Sequence, residues 1–139
     1  MTRLLVVALL AAGCADQTAV PKTATELRIP FPEGWVAAGS SERLQAGPRG
    51  RAVVSFEAKP DAAPTLDVLL AAAAAQKATS VQGFDAPGFV AARYALDTQE
   101  AFVGVKTAGA RTVWCASLHG ATDAEVTEAL NACRDLALR

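Results

Sequence analysis

The stretch FVAARYALDTQEAFVGVKTAGARTVWCASL, residues 89–118, decides the fold. Three strand candidates follow one another in it: Phe89 to Leu96, Ala101 to Thr107 and Arg111 to Leu118. The links between them, Asp97 to Glu100 and Ala108 to Ala110, are short. Links of that length favour an antiparallel meander. In the last strand Trp114, Ala116 and Leu118 share one face, and Val113, Cys115 and Ser117 share the other.

Immediately downstream, Thr122-Asp123-Ala124-Glu125 fits a capping box, with Thr122 as N-cap and Glu125 at the third helical position. Val126, Ala129, Leu130, Cys133 and Leu136 recur at helical spacing and place Cys133 on the buried face. Cys115 and Cys133 are thus expected to form a disulfide that pins the last helix to the last strand. The loop they close is worth about 3 kcal/mol in the chain-entropy model.

Upstream, Ala52 to Lys59 alternates as a strand and Pro60 ends it. Pro64-Thr65 then opens a helix in which Leu66, Leu69, Leu70 and Ala73 form one stripe, with Asp67 in its first turn and Lys77 in its last. This helix is expected to fade near Ser80. Residues 27–32, LRIPFP, read as an edge strand because Pro cannot donate into a central ladder. Glu33-Gly34 turns the chain, and Trp35 to Ala38 resumes a short strand. Gly39 to Gly50 mixes glycine, serine, proline and charge without period and reads as an exposed loop. The expectation is an α+β fold: an antiparallel sheet of about five strands packed with two α-helices.

The chain has 13 basic and 14 acidic residues, so no basic excess exists to hold a phosphate backbone; a dedicated nucleic-acid binder is excluded. Apolar residues make up 52% and charged ones 19%, which excludes wholesale disorder. Thirty-two residues are alanine, so the core is expected to be thinner than the apolar fraction suggests.

The first residues, MTRLLVVALLAAGCADQ, speak to location. Arg3 precedes an apolar run from Leu4 to Ala12. That run is too short to span a bilayer and fits the core of an export signal. Leu10-Ala11-Ala12-Gly13-Cys14 resembles the lipobox of bacterial lipoproteins, with Ala11 standing where that family most often has Leu. The resemblance implies that Cys14 receives a diacylglycerol and becomes the first residue of the mature chain. Ala15, rather than Asp, after the Cys implies sorting to the outer membrane, facing the periplasm. The alternative is an ordinary secretory signal, cut after Ala15, and a soluble secreted protein. On the first reading residues 1–13 are the signal peptide, 14–25 the lipidated Cys and a flexible tether, and 26–139 a single globular domain. With Cys14 acylated, Cys115 and Cys133 remain as an even pair in an oxidising compartment.

The element order, together with IPFPEGW at Ile29 to Trp35, resembles the PsbP-like fold over about residues 26–138. Members of that fold mostly serve as binding, scaffold or accessory domains. The resemblance carries no catalytic residue onto this chain.

Candidate chemistry is sparse. His119 is the only histidine, and Ser117 and Asp123 lie near it in sequence. Those are the ingredients of a hydrolytic triad, but no nucleophile-elbow motif accompanies them. Arg43, Arg49 and Arg51 surround Gly47 to Gly50 and could hold an anion, but no Walker-type spacing follows and Glu42 offsets one charge, so a solvated loop or a lipid-headgroup contact is the favoured reading. Asp123, Glu125 and Glu128 form an acidic cluster better explained by the helix start. Zinc-type cysteine spacing is absent, so no metal and no cofactor are expected. Among the aromatic residues, Trp35, Trp114, Phe31, Phe84 and Phe89 are candidates to line a groove, and Trp114 is expected in the core. Phe84 and Phe89 flank the Asp85 to Gly88 turn and are candidate partner contacts, as are Arg49 and Arg51. The reading that follows is a membrane-anchored envelope lipoprotein, not an enzyme, whose domain binds a protein or envelope partner. The alternatives are a small-molecule or lipid carrier with a cavity between sheet and helix, and, less favoured, an envelope hydrolase.

Overall fold

The computed structural model describes residues 27–40 and 42–138. The signal segment 1–13, Cys14 and the tether 15–25 lie outside these residues. Among those described, nine strands and two helices are present. The strands are β1 (Leu27–Arg28), β2 (Trp35–Gly39), β3 (Arg43–Pro48), β4 (Val54–Lys59), β5 (Thr79–Ala86), β6 (Phe89–Leu96), β7 (Gln99–Ala108), β8 (Arg111–Ser117) and β9 (Ala137–Leu138). The helices are α1 (Leu66–Ala75) and α2 (Asp123–Asp135). β2 to β8 make one antiparallel sheet in the order β2-β3-β4-β8-β7-β6-β5. β1 and β9 make a separate antiparallel pair, with Leu27 opposite Leu138.

The chain is therefore more β-rich than a five-stranded α+β sheet, and the sequence-based fold class is corrected on that point. β3 runs through the segment read as a loop. Its inward residues are only Leu44 and Ala46, and Gly47 and Pro48 mask the alternation. β5 occupies the tail of the expected first helix and the approach to the next turn. It is a largely exposed edge strand, so it carries no apolar period. α1 stops at Ala75, and Lys77 lies past its C-cap with φ of 62°, so no basic residue closes the last turn. The LRIPFP strand shrinks to Leu27–Arg28, because Pro30 and Pro32 remove two ladder donors.

Each helix covers one face of the large sheet. The β7–β8 register places Phe102, Gly104, Val113 and Cys115 on one face, and β4 adds Val54 and Phe56 to it. α2 packs on this face and buries Val126, Ala129, Leu130 and Cys133. Cys115 and Cys133 are joined here, with 6.2 Å between their Cα atoms. On the opposite face, α1 packs on β5 and β6 and buries Leu69 and Ala73 against Ala92 and Tyr94. β6 lies between the two layers. Ala91 and Ala92 are consecutive yet both fully buried, one under each helix.

Gly104 lets α2 approach. A Cβ there would lie 3.4 Å from Cys133 Sγ and 3.3 Å from Ala91 Cβ. α2 begins at the expected cap: Glu125 N–H donates to Thr122 Oγ1 at 3.2 Å, and Thr122 N–H donates to Glu125 Oε1 at 3.0 Å.

Candidate functional site

The end of β6, the start of β7 and the end of β8 border a cleft beside the C-terminal end of α1. It encloses about 270 Å³ and is lined by Gln76, Tyr94, Leu96, Gln99, Leu118 and His119, among others. A second depression beside it, of about 400 Å³, shares Leu96, Gln99 and His119 and adds Asp97 and Thr98. Leu96, Ala101 and Ala116 give it apolar lining, and Gln76, Gln99, Glu100, Ser117 and His119 bring polar groups to it.

Gln99 is held by three hydrogen bonds of its side chain. Its amide Nε2 donates to Ala121 O at 2.7 Å and to Glu100 O at 2.8 Å. Its Oε1 accepts from Gly120 N–H at 3.3 Å. Gln99 therefore holds the turn that presents His119. Gly120 supports that turn with φ of +94°, a conformation that favours glycine. His119 itself is exposed.

The triad ingredients are not assembled. Ser117 Oγ accepts from Phe102 N–H at 2.9 Å and donates to Phe102 O at 3.4 Å. The hydroxyl thus extends the β7–β8 ladder past its last backbone pair, Val103 with Ala116. Asp123 opens α2 and its carbonyl accepts from Arg93 Nη2 at 3.0 Å.

The arginines near Gly47 have separate fates. Arg43 pairs with Glu57 at 2.8 Å, and this contact raises the guanidinium pKa while lowering that of the carboxyl. Arg51 pairs with Glu125 and donates to Gly120 O at 3.2 Å. Arg49 is exposed in the turn after β3. The loop therefore does not converge three guanidinium groups on one point. Arg51 instead braces the start of α2. The Glu125 carboxyl is held below the usual glutamate range, first by the Thr122 backbone N–H and then by Arg51. That gives one member of the acidic cluster a structural partner, while Asp123 and Glu128 are exposed. Among the described residues no group of three or more His, Cys, Asp or Glu side chains is placed to hold a metal ion.

Of the candidate partner contacts, Phe89 is 4% exposed and faces α2 beside Gly104, so its ring offers no surface. Burial wins there because β6 is covered on both sides. Phe84 is half-buried on the edge strand β5. Phe31 stacks on Trp35 with ring centroids 6.3 Å apart and meets Phe56 edge-on at 5.7 Å. Trp114 is half-buried against the α1 cluster, and Lys59 Nζ lies 4.7 Å from its ring centroid. Its Nε1 is buried without a hydrogen-bond partner among the described residues.

Arg93 and Gln99 escaped the sequence reading. Arg93 donates to Glu100 Oε1 at 2.9 Å, to Thr127 Oγ1 at 2.6 Å and to Asp123 O at 3.0 Å. A lone charge inside the apolar run FVAARYAL was the signal for it. Gln99 carried no comparable signal.

No protein family matches this chain, and neither does any curated protein or solved structure compared with it. Among the described residues no helix is long and apolar enough to cross a membrane.

Proposed function

We propose that this chain is an exported envelope lipoprotein, anchored through Cys14, whose folded part binds a protein or envelope partner and does no catalysis. The observation that carries the reading is the sequence Leu10-Ala11-Ala12-Gly13-Cys14 behind Arg3 and a short apolar run. The pairing of Cys115 with Cys133 supports it, because it leaves Cys14 as the unmatched cysteine of the three. Two or more acyl chains would hold the protein stably, where one would not. The occupied Ser117 hydroxyl counts against the hydrolase reading.

The test is the intact mass of the chain extracted from membranes, with and without reductant. A mass beginning at Cys14 plus acyl chains is the expected result, with a gain of two hydrogens on reduction. An unacylated chain beginning near Asp16 would overturn the anchor.

A second reading, a small-molecule carrier, is favoured by the cleft of about 270 Å³ between the end of α1 and the sheet. Native mass spectrometry of the purified chain checks it. A co-purified ligand lost on narrowing the cleft with Ala116→Leu is expected on that reading, and a bare chain refutes it.

A further inference from the structure

The cleft beside α1 follows from where that helix stops and what lies beyond it. α1 ends at Ala75. The register puts Tyr94 opposite Ala101 and Val103 opposite Ala116, all on the face that α1 covers. Past the last helical turn, the small side chains of Ala101 and Ala116 leave a hollow of about 270 Å³. That is just below the roughly 300–1,000 Å³ typical of drug-sized ligand sites, so its occupant is small.

One group here lacks the partner its burial demands. Tyr94 lines the cleft and is 8% exposed. A phenol buried to that degree ordinarily finds a hydrogen bond, because leaving it unpaired costs stability. The Tyr94 hydroxyl bonds to none of the described residues. Nor is it sealed in: among the described residues that holds for Trp114 Nε1 alone. The hydroxyl therefore keeps an opening, and the concavity its residue lines is the cleft. There it can both donate and accept. Gln76, the C-cap of α1, is half used. Its Nε2 donates to Ala72 O at 3.4 Å, and its Oε1 accepts from no described residue.

The surrounding charge is one-sided. No lysine or arginine lines the cleft or the depression beside it, and Asp97 lines the latter. The C-terminal end of α1, negative by its aligned peptide dipoles, has no basic residue in its last turn. Lys77 is exposed and lines neither hollow. A carboxylate or phosphate entering here would meet negative potential with no lysine or arginine to hold it. An ammonium fares no better, because Glu100, the carboxylate that lines the cleft, is already paired with Arg93 at 2.9 Å.

From this geometry we infer that the cleft binds a small uncharged molecule with an apolar body and one hydroxyl, the hydroxyl pairing with Tyr94 and the body lying on Ala101 and Ala116. This inference rests on the carrier reading of the same cleft and adds the class of its ligand.

Three probes that share one apolar body test it: para-propylphenol, para-propylbenzoate and propylbenzene. Each is titrated into the full chain at about pH 8, above the ordinary imidazole range. Binding is read from the NMR shifts of the Leu96, Ala101 and Ala116 methyl groups. The phenol is expected to bind tightest. Propylbenzene should bind about two- to tenfold more weakly, the worth of one neutral hydrogen bond, and the benzoate about tenfold more weakly or worse. Tyr94→Phe should bring the phenol down to the affinity of propylbenzene and leave propylbenzene unmoved, which shows the hollow intact. Three results overturn the ligand class while the carrier reading stands: a benzoate that binds as tightly as the phenol, a phenol that binds no tighter than propylbenzene, or a Tyr94→Phe effect that is absent or shared by propylbenzene. If no probe moves these methyls up to its solubility, the class and the carrier reading fall together.

Discussion

Gly47→Ala tests how the β3–β4 connection is made. Gly47 is buried near the end of β3, where the chain doubles back through Arg49 and Gly50. A Cβ on it would lie 2.1 Å from Arg51 O, 2.8 Å from Val53 N and 3.1 Å from Ala52 Cα. All three are backbone atoms, so no side chain can rotate aside. Relief requires moving one backbone segment by roughly 1 Å, on the scale of the overpacking that costs about 1–3 kcal/mol. That movement also loosens two bonds, Arg51 N–H to Pro48 O at 2.9 Å and Val53 N–H to Ala46 O at 2.8 Å. Each is worth about 0.5–1.5 kcal/mol. The reduced freedom of the unfolded chain returns about 0.4–1 kcal/mol. The expected loss is about 2–5 kcal/mol, a large share of a typical domain's stability of roughly 5–15 kcal/mol. Urea unfolding followed by circular dichroism measures it as a lower midpoint at unchanged slope. Gly50→Ala is the control: φ is +84° but nothing lies within 4 Å, so only conformational strain of about 1–2 kcal/mol applies. The reasoning is refuted if Gly47→Ala costs no more than Gly50→Ala.

Three further outcomes are expected. Arg93→Ala should destabilise by about 2–3 kcal/mol in the same unfolding assay, since it strands Glu100 and unpins the start of α2; Arg93→Lys should not restore the loss, because one ammonium cannot reach three acceptors. Glu125 has a lowered native pKa, so its contribution is present above the ordinary glutamate range and disappears as pH falls through the native value. The stability gap between the unsubstituted chain and Glu125→Gln should therefore shrink below about pH 4.3, and a gap constant from pH 7 to pH 3 would contradict the ion pair with Arg51. Reduction of Cys115–Cys133 should lower stability by about 3 kcal/mol, read as a shifted urea midpoint with and without reductant.

What the sequence revealed depended on how far its signals reached. The β6–β8 meander and the start of α2 were legible because both are written locally: short turns join the strands, and Thr122 and Glu125 lie three residues apart. β5 was illegible for a physical reason. An exposed edge strand has no buried face, and without a buried face there is no period-two pattern to read. β3 was hidden differently. Its Gly47 is required by a close backbone approach and its Pro48 is tolerated because it donates to nothing, yet both residues read as loop. At the candidate site the limits are those of distance. Arg51 meets Glu125 across 74 residues, Arg93 meets Thr127 across 34, and Gln99 meets Ala121 across 22. Arg49 and Arg51 look equivalent in sequence, yet only Arg51 points to the start of α2.

The alanine content, read first as a sign of a thin core, has a second consequence in the fold. A sheet covered by one helix per face must bury neighbouring residues of the same strand on opposite sides, and Ala91 and Ala92 do so at 0% exposure. Small residues on the strand let both helices come close, and Gly104 extends that approach to the Cys133 sulfur. Such a core gains less from transferred apolar area than one built of leucines. It depends correspondingly more on fixed contacts: the Cys115–Cys133 bond, the Thr122–Glu125 cap, and the anchoring of α2 by Arg51 and Arg93. All of these act on α2, which carries most of the buried residues among the two helices. α1 has no such fixings. It lacks a side-chain cap and presents alanines to solvent, so its docking rests on Leu69 and Ala73, with help from Leu70 and Leu66 beside Gly83. Gln76, which caps the C-terminal end of α1, lines the cleft, so the less firmly fixed helix ends at the cleft's border.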